Sequence, residues 1–398
     1  MTAPWLDIIG LGEDGLDGLT PVARSRLAAA EVVIGAERHH ALLPDLRAER
    51  VTWGTPFRQF RDQVVSYRGR PTALLVTGDP LWYSVGAHML KLFAPEELTL
   101  HPQLSAFQWA ATRMKWSLAD CETLTVHGRP AAQILPFLAP EARLLILTRD
   151  GDSPAEIAAL LCAAGYGASD LTVLAHLGGP EESRIEGRAE AWTERAPDLH
   201  VLAVTCRAAQ GAKLLPRTGL PDDAFQHDGK MTKQEIRAIT LARLAPARGQ
   251  LLWDIGLGCG SVAIEWMRAA RDAEAIGIEP LEPRRAMAAT NAARLGTPRL
   301  QILAGKAPDG LSELPRPDAI FIGGGLSEAV VIACLAALKP HGRLVANAVT
   351  LESEAKLLSL QAQHGGELTR LAISRATPVG PYRGWRAAMP VTQWSLTL

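Results

Sequence analysis

The sequence has no Cys-x-x-Cys pair, no long apolar run and no excess of either charge. Its five cysteines, Cys121, Cys162, Cys206, Cys259 and Cys334, are scattered. That excludes the usual zinc spacings and a disulfide framework, and free thiols in a reducing compartment are expected. No segment reaches about 18 consecutive apolar residues, and the opening MTAPWLDIIG carries no basic stretch. Neither a membrane span nor a secretion signal is read here, and a cytoplasmic location is expected. Lys and Arg number 41 against 42 Asp and Glu, so no global field gathers nucleic acid or an anionic membrane. Fixed-period repeats and low-complexity tracts are missing too. What is there is a chain of 398 residues, 47% hydrophobic and 21% charged. It is long enough for two or three domains and apolar enough to fill their cores.

Strand-like and helix-like patterns alternate throughout. WLDIIG, EVVIG, TALLVTG, ARLLILT, LTVLAH and LHVLAVT are short runs rich in Val, Ile and Leu, and amphipathic stretches such as 21–31 and 154–164 lie between them. Continuous apolar strands flanked by helices predict parallel sheets covered on both faces. The pattern breaks over 207–222, where Gly, Pro and charged residues cluster without periodicity, which predicts a linker between domains at 1–206 and 223–398. Beyond it come a helix from Thr232, five strands (QLLWDIG, AEAIGIE, RLQILAG, DAIFIG, GRLVANA) and a closing pair, LTRLAISRA and AAMPVTQWSLTL. Five α/β units and a final hairpin predict a doubly wound fold.

The tetrapeptide Ile-Gly-Leu-Gly occurs twice, in DIIGLGEDG and in WDIGLGCGS. In the second copy the strand runs directly into Gly256, Gly258 and Gly260, and a helix follows. Glycines let the backbone pass close to a ligand, and the helix N-terminus offers free N–H groups. Glu279 ends the next strand, where it can accept hydrogen bonds from a ribose. A dinucleotide fingerprint needs G-x-G-x-x-G, but its last position here is Ser261.

The order Asp254-x-Gly-x-Gly-x-Gly resembles motif I of class I S-adenosylmethionine-dependent methyltransferases. Glu279, AGKAPDG after the third strand and LKPHGRLV before the fifth agree. KMTKQEIRAI, IFIGGG at 320–325 and ANAVTLE at 346–352 narrow the resemblance to the decarboxylating precorrin methyltransferases of cobalamin biosynthesis, over about 223–398. That resemblance implies that Thr232 and Lys233 close over the cofactor and that Gly305, Lys306 and Ala307 border its adenine. It also places Gly323 to Gly325 and Asn347 between cofactor and substrate.

In the first copy Gly10, Gly12 and Gly15 do satisfy G-x-G-x-x-G, yet EDGLDG continues as a polar turn. Thr20 as N-cap and Pro21 as first residue place the helix later, and the acidic loop would repel a pyrophosphate. The dinucleotide reading fails. IIGLGEDGLDGLT, VTGDPLWYS at 76–84 and LSAFQWAATRM at 104–114 resemble the tetrapyrrole (class III) methylases instead. LTVHGRP, LTRDGDSPAEIA and LAHLGGPEESRIEG extend the match to about residue 205. The resemblance implies two α/β lobes clasping S-adenosylmethionine at Gly10, Gly12, Gly78, Asp79, Leu81 and Ser105. His176 stands where the family often has Glu and receives no role. His127 reads either as part of a branch signature, His-Gly-Arg, or as a capping histidine.

Together the two resemblances imply methylation of a precorrin at two meso carbons (carbons 5 and 15), with loss of a side-chain carboxyl, using one S-adenosylmethionine per domain and no metal. Carbon 15 and the decarboxylation would fall to the carboxy-terminal domain. A metal-free or a cobalt-bearing substrate is open. The expected partner is a small-molecule tetrapyrrole, with neither nucleic acid nor membrane, and the chain is expected to be a homo-oligomer. A polycarboxylate should meet cations, and Arg383 and Arg386 in a Gly/Pro-rich loop with Tyr382 and Trp385 are the candidates, with Asn347, for orienting it. Arg207, Lys213 and Arg217 read as solvated charge. A nucleic-acid methyltransferase would need a basic face, and a non-catalytic tetrapyrrole carrier would not need Asp254 and Glu279.

Overall fold

The computed structural model describes residues 4–43, 46–54 and 57–398, and of residues 57 and 58 the backbone alone. The first three residues of MTAPWLDIIG therefore lie outside it. No helix among the described residues is long and apolar enough to cross a membrane. Two compact units form: Met1–Ala131 with Pro140–Ala212, and Ala132–Ala139 with Lys213–Leu398.

In the first unit five parallel strands lie in the order Glu49–Thr52, Val32–Gly35, Thr72–Thr77, Leu6–Leu11, Leu98–His101. Leu6–Leu11 is buried along its whole length because it packs on both faces. Leu6 and Ile8 join Phe60, Met89 and Phe93 on one side, while Ile9 and Leu11 join Leu19, Ala23 and Leu27 on the other. The helix on that second side is Pro21–Ala29. Thr20 caps it by accepting from the Ala23 N–H at 3.2 Å, and Pro21 takes the first turn.

A second five-stranded sheet in this unit departs from the all-parallel expectation. Its order is Cys121–Thr125, Arg143–Leu147, His200–Thr205, Asp170–Ala175, Ser183–Arg188, and only the first pair is parallel. ARLLILT, LTVLAH and LHVLAVT are as apolar as parallel strands because the interior of this sheet is also covered. Composition records burial and leaves strand direction open.

The second unit holds a seven-stranded sheet in the order Gln301–Ala304, Glu274–Glu279, Leu251–Ile255, Ala319–Ile322, Arg343–Ala348, Val391–Thr397, Glu367–Leu371. Val391–Thr397 alone runs antiparallel, pairing so with both its neighbours, and the other six strands share one direction. The α/β class and the doubly wound expectation hold. The closing hairpin is more elaborate than the sequence suggests, because a separate two-stranded ribbon, Ser374–Val379 with Tyr382–Ala387, intervenes between the two terminal strands. RATPVGPYRGWR is thus a β-ribbon turning at Gly380, where φ is +60°, rather than a loop.

The chain leaves Leu251–Ile255 towards one side of the sheet and returns to its other side at Ala319–Ile322. In open α/β sheets this reversal opens a crevice at the carboxyl ends of the strands.

Candidate functional site

That crevice is where the second Ile-Gly-Leu-Gly lies. Gly256, Gly258 and Gly260 have φ of +75°, +56° and +82°, the left-handed region that side chains with a Cβ avoid. A Cβ on Gly256 would lie 2.7 Å from the Gly324 nitrogen, while one on Gly258 would meet nothing nearer than 3.8 Å. The first glycine is therefore dictated by packing and the second leaves room beside the loop. Gly260 begins the helix Ser261–Ala269.

Glu279 is buried, and each of its carboxylate oxygens accepts one backbone N–H, Oε2 from Gly258 at 2.9 Å and Oε1 from Leu281 at 3.1 Å. Each oxygen keeps a second lone pair for a ligand. Asn291, fully buried in the helix Glu282–Arg294, holds the loop from behind by donating to the Cys259 carbonyl at 3.0 Å and the Gln226 carbonyl at 2.8 Å. Sequence reasoning missed it; the available signal was an amide in the middle of a helix.

A cavity of about 850 Å³ opens beside the loop, within the range of small-molecule sites. Of the residues singled out from the sequence, it is lined by Thr232, Lys233, Asp254, Gly256, Gly258, Gly323, Asn347 and Arg386. Arg375 lines it as well, and Arg383 does not. Arg375 pairs with Arg386 across the ribbon, and alternation along a strand puts Arg383 and Trp385 on the opposite face. Trp385 is 79% exposed. Glu279 sits behind Gly258, and Gly260, Gly305, Lys306 and Ala307 also lie outside this lining.

The electrostatics are uneven. Arg375 is held by Glu235, Nε to Oε1 at 3.0 Å, and approaches Asp222 at 3.6 Å, whereas Arg386 pairs with no carboxylate among the described residues. A third arginine, Arg237, is fully buried and donates to the Thr232 carbonyl at 2.7 Å, to Glu265 and to the Leu220 carbonyl. It fixes the segment before the helix Gln234–Leu244, and no local pattern announces a guanidinium inside the core. Among the linker cations, Arg207 pairs with Asp170, Lys213 with Asp223, and Arg217 donates to the Arg268 carbonyl.

Asp254 is the chemically unusual group. Its Oδ2 accepts from the Ala263 N–H at 3.1 Å, and its Oδ1 is buried without a partner. Burial, with the Glu279 charge adding to it, pushes the carboxyl up to about 8 from 3.8. The folded protein thus keeps a proton that the unfolded chain has released, and stability falls as pH rises across that window. Asp254→Asn should abolish the slope: the ligand-free variant is expected to gain in Tm over the parent protein between pH 5 and pH 8. Parallel Tm curves would show the carboxyl is ionised in the fold.

In the first unit, Gly10, Gly78 and Ser105 come together. A Cβ on Gly10 would lie 2.1 Å from the Gly78 carbonyl oxygen, and one on Gly78 (φ +63°) would lie 3.2 Å from the Ser105 Cα. Asp79 Oδ1 accepts the Leu81 N–H at 2.7 Å and closes the Gly-Asp-Pro turn, leaving Leu81 exposed. The Ser105 hydroxyl caps the helix Ala106–Met114 by accepting the Gln108 N–H at 3.3 Å, and the Ser105 N–H donates to Gln108 Oε1 at 2.7 Å. A Cβ on Gly12 would strike Asp14 Oδ1 at 2.4 Å. Glu13 faces Arg38 at 3.5 Å and His176 at 3.3 Å. His127 is exposed in a turn after Cys121–Thr125 and caps no helix.

Comparison with known proteins assigns a family to each half. Residues 6–192 match the family of tetrapyrrole (corrin/porphyrin) methylases and residues 223–398 the precorrin methyltransferase domain. A Sinorhizobium protein named precorrin-6Y C(5,15)-methyltransferase [decarboxylating] is 45% identical over 100% of this chain and 97% of its own. Two shorter relatives each match part of the chain. A Pyrobaculum calidifontis protein named probable cobalt-precorrin-6B C(15)-methyltransferase (decarboxylating) is 33% identical over 44% of this chain and 92% of its own. A Salmonella typhimurium protein named cobalt-precorrin-7 C(5)-methyltransferase is 28% identical over 41% and 80%. The chain belongs to the family of decarboxylating precorrin-6Y C(5,15)-methyltransferases.

Proposed function

We propose that the chain methylates a precorrin at carbons 5 and 15 and removes the carboxyl of the carbon-12 acetate as carbon dioxide, with S-adenosylmethionine as methyl donor. The observation that carries this reading is the cavity of the second unit, lined together by a glycine loop, the buried Asp254 carboxyl, the Asn347 amide and the Arg386 guanidinium. The methyl donor supplies a carbon made electrophilic by positive sulfur. An electron-rich meso carbon attacks it directly, so the protein needs no nucleophile of its own, and alignment contributes much of the rate. Carboxylates of the substrate fit the Arg386 guanidinium. When carbon dioxide leaves, the electron pair of the broken C–C bond passes into the conjugated ring, and Asn347 with the cavity cations orients the acetate for it.

The glycine loop and Glu279 hold the cofactor in the carboxy-terminal domain; the turns at Gly10 and Gly78–Asp79 hold a second cofactor in the amino-terminal one. The domains follow the division 1–206 and 223–398. Carbon 15 and the decarboxylation belong to the carboxy-terminal domain and carbon 5 to the other, a split supported by the separate names of the two shorter relatives.

Titration with S-adenosylmethionine tests the cofactor reading. Two sites per chain are expected. Glu279→Ala should weaken one of them ten- to a hundredfold, about 1.5–3 kcal/mol for hydrogen bonds to a charged acceptor, and spare the other. A single site in the parent protein, or two unchanged sites in the variant, would overturn it.

A further inference from the structure

We propose that Gln393 is a positioning residue that, together with Thr240, fixes which way the Asn347 amide faces the cavity. Asn347 and Gln393 are direct neighbours across the antiparallel strands Arg343–Ala348 and Val391–Thr397. Thr240 reaches them from the helix Gln234–Leu244. Asn347 Nδ2 donates to Thr240 Oγ1 at 3.0 Å, Gln393 Nε2 donates to the same oxygen at 3.1 Å, and Gln393 Nε2 also donates to Asn347 Oδ1 at 2.9 Å.

The polarity of this triangle is set from outside it. Thr240 has one hydroxyl proton, and it goes to the Ile236 carbonyl at 2.8 Å. Its oxygen can then only accept, so both amides must present nitrogen to it. With Gln393 so oriented, its second N–H faces Asn347, which must answer with oxygen. One Asn347 N–H is left over, on a residue that lines the cavity. The network thus delivers a hydrogen-bond donor of fixed direction, suited to an acceptor such as a substrate carboxylate oxygen.

Stability alone does not account for Gln393. It is 1% exposed, and its Oε1 is buried with no partner. An unpaired buried acceptor is a cost that an apolar side chain would avoid. Retaining glutamine is explained if its amide nitrogen has work to do on Asn347.

The inference rests on the proposed role of Asn347, and the test separates the two. In the full-length enzyme, Gln393→Leu should lower kcat for carbon dioxide release about tenfold, the loss of one directing hydrogen bond. Affinity for S-adenosylmethionine should stay within about twofold, because no cofactor contact is removed. In an Asn347→Leu background the same change should cost nothing further, since the group it orients is gone.

Gln393→Glu keeps the shape. Its protonated carboxyl donates as the amide does, whereas its ionised form turns a negative charge on Asn347 Oδ1. Relative to the parent enzyme at each pH, activity should therefore be near parental at low pH and fall as pH rises. An unchanged kcat in Gln393→Leu, losses that add in the double variant, or a pH profile for Gln393→Glu that follows the parent's would each overturn the positioning role. A fully active Asn347→Leu enzyme would remove the site reading and this inference with it.

Discussion

Replacing Gly256 with alanine is expected to lower carbon dioxide release by at least about a hundredfold while the amino-terminal cofactor site titrates normally. The backbone there has φ of +75°, and a Cβ would lie 2.7 Å from the Gly324 nitrogen and 2.8 Å from its Cα. Neither neighbour is a movable side-chain tip. Strain of about 1–3 kcal/mol for a left-handed alanine adds to about 1–3 kcal/mol for forcing a packed contact. The loop can relieve both only by moving away from Gly324, which opens the floor between the proposed cofactor and substrate positions. Isothermal titration should then find one S-adenosylmethionine site instead of two. Carbon dioxide release at the parental rate would mean that the glycine loop holds nothing the decarboxylation needs.

The reciprocal change is Gly10→Ala. Its Cβ would lie 2.1 Å from the Gly78 carbonyl oxygen and 2.9 Å from the Gln103 Cβ, so the ends of two adjacent parallel strands must separate. Methyl transfer by the amino-terminal domain should fall by at least about a hundredfold, from overpacking and the lost alignment of the two turns. The accumulating product should be a tetrapyrrole one methyl short and already lacking the carboxyl. Asp79→Ala, which frees the Leu81 N–H, should act in the same direction more mildly. If either variant melts like the parent yet releases no carbon dioxide, the assignment of chemistries to halves is reversed or the two are inseparable.

Much of this was legible in the sequence, for a physical reason. A glycine loop between a buried strand and a helix, a Thr-Pro helix start and a carboxylate at a strand end are all written in adjacent residues. Thr20, Pro21, Gly256 and Glu279 therefore stand in the local structure their neighbours predict. What escaped was written in pairs far apart. Asn347, Thr240 and Gln393 meet from three elements, and nothing near any of them announces the other two. The ribbon 374–387 was masked by its Gly and Pro, which read as a loop, and so the face-by-face sorting of Arg375 and Arg386 from Arg383 was lost. Arg237 carries no local sign of burial, because a charge in a helix is ordinarily solvated and only the fold places Glu265 and the Thr232 carbonyl around it.

The strand Val391–Thr397 lies inside its sheet, between Arg343–Ala348 and Glu367–Leu371, and carries the fully buried Trp394. Both flanking strands precede it in the chain, so during synthesis a slot stands open in this sheet until residues 391–397 leave the ribosome. The amino-terminal unit is finished long before, and domains fold as units in the order they emerge. The carboxy-terminal unit can therefore complete its sheet only once residues 391–397 have emerged, with a groove of unpaired backbone exposed meanwhile. A chain truncated before residue 391 would leave that groove permanently open, and chaperone dependence in the cell should track this inserted strand more closely than any residue of the active site.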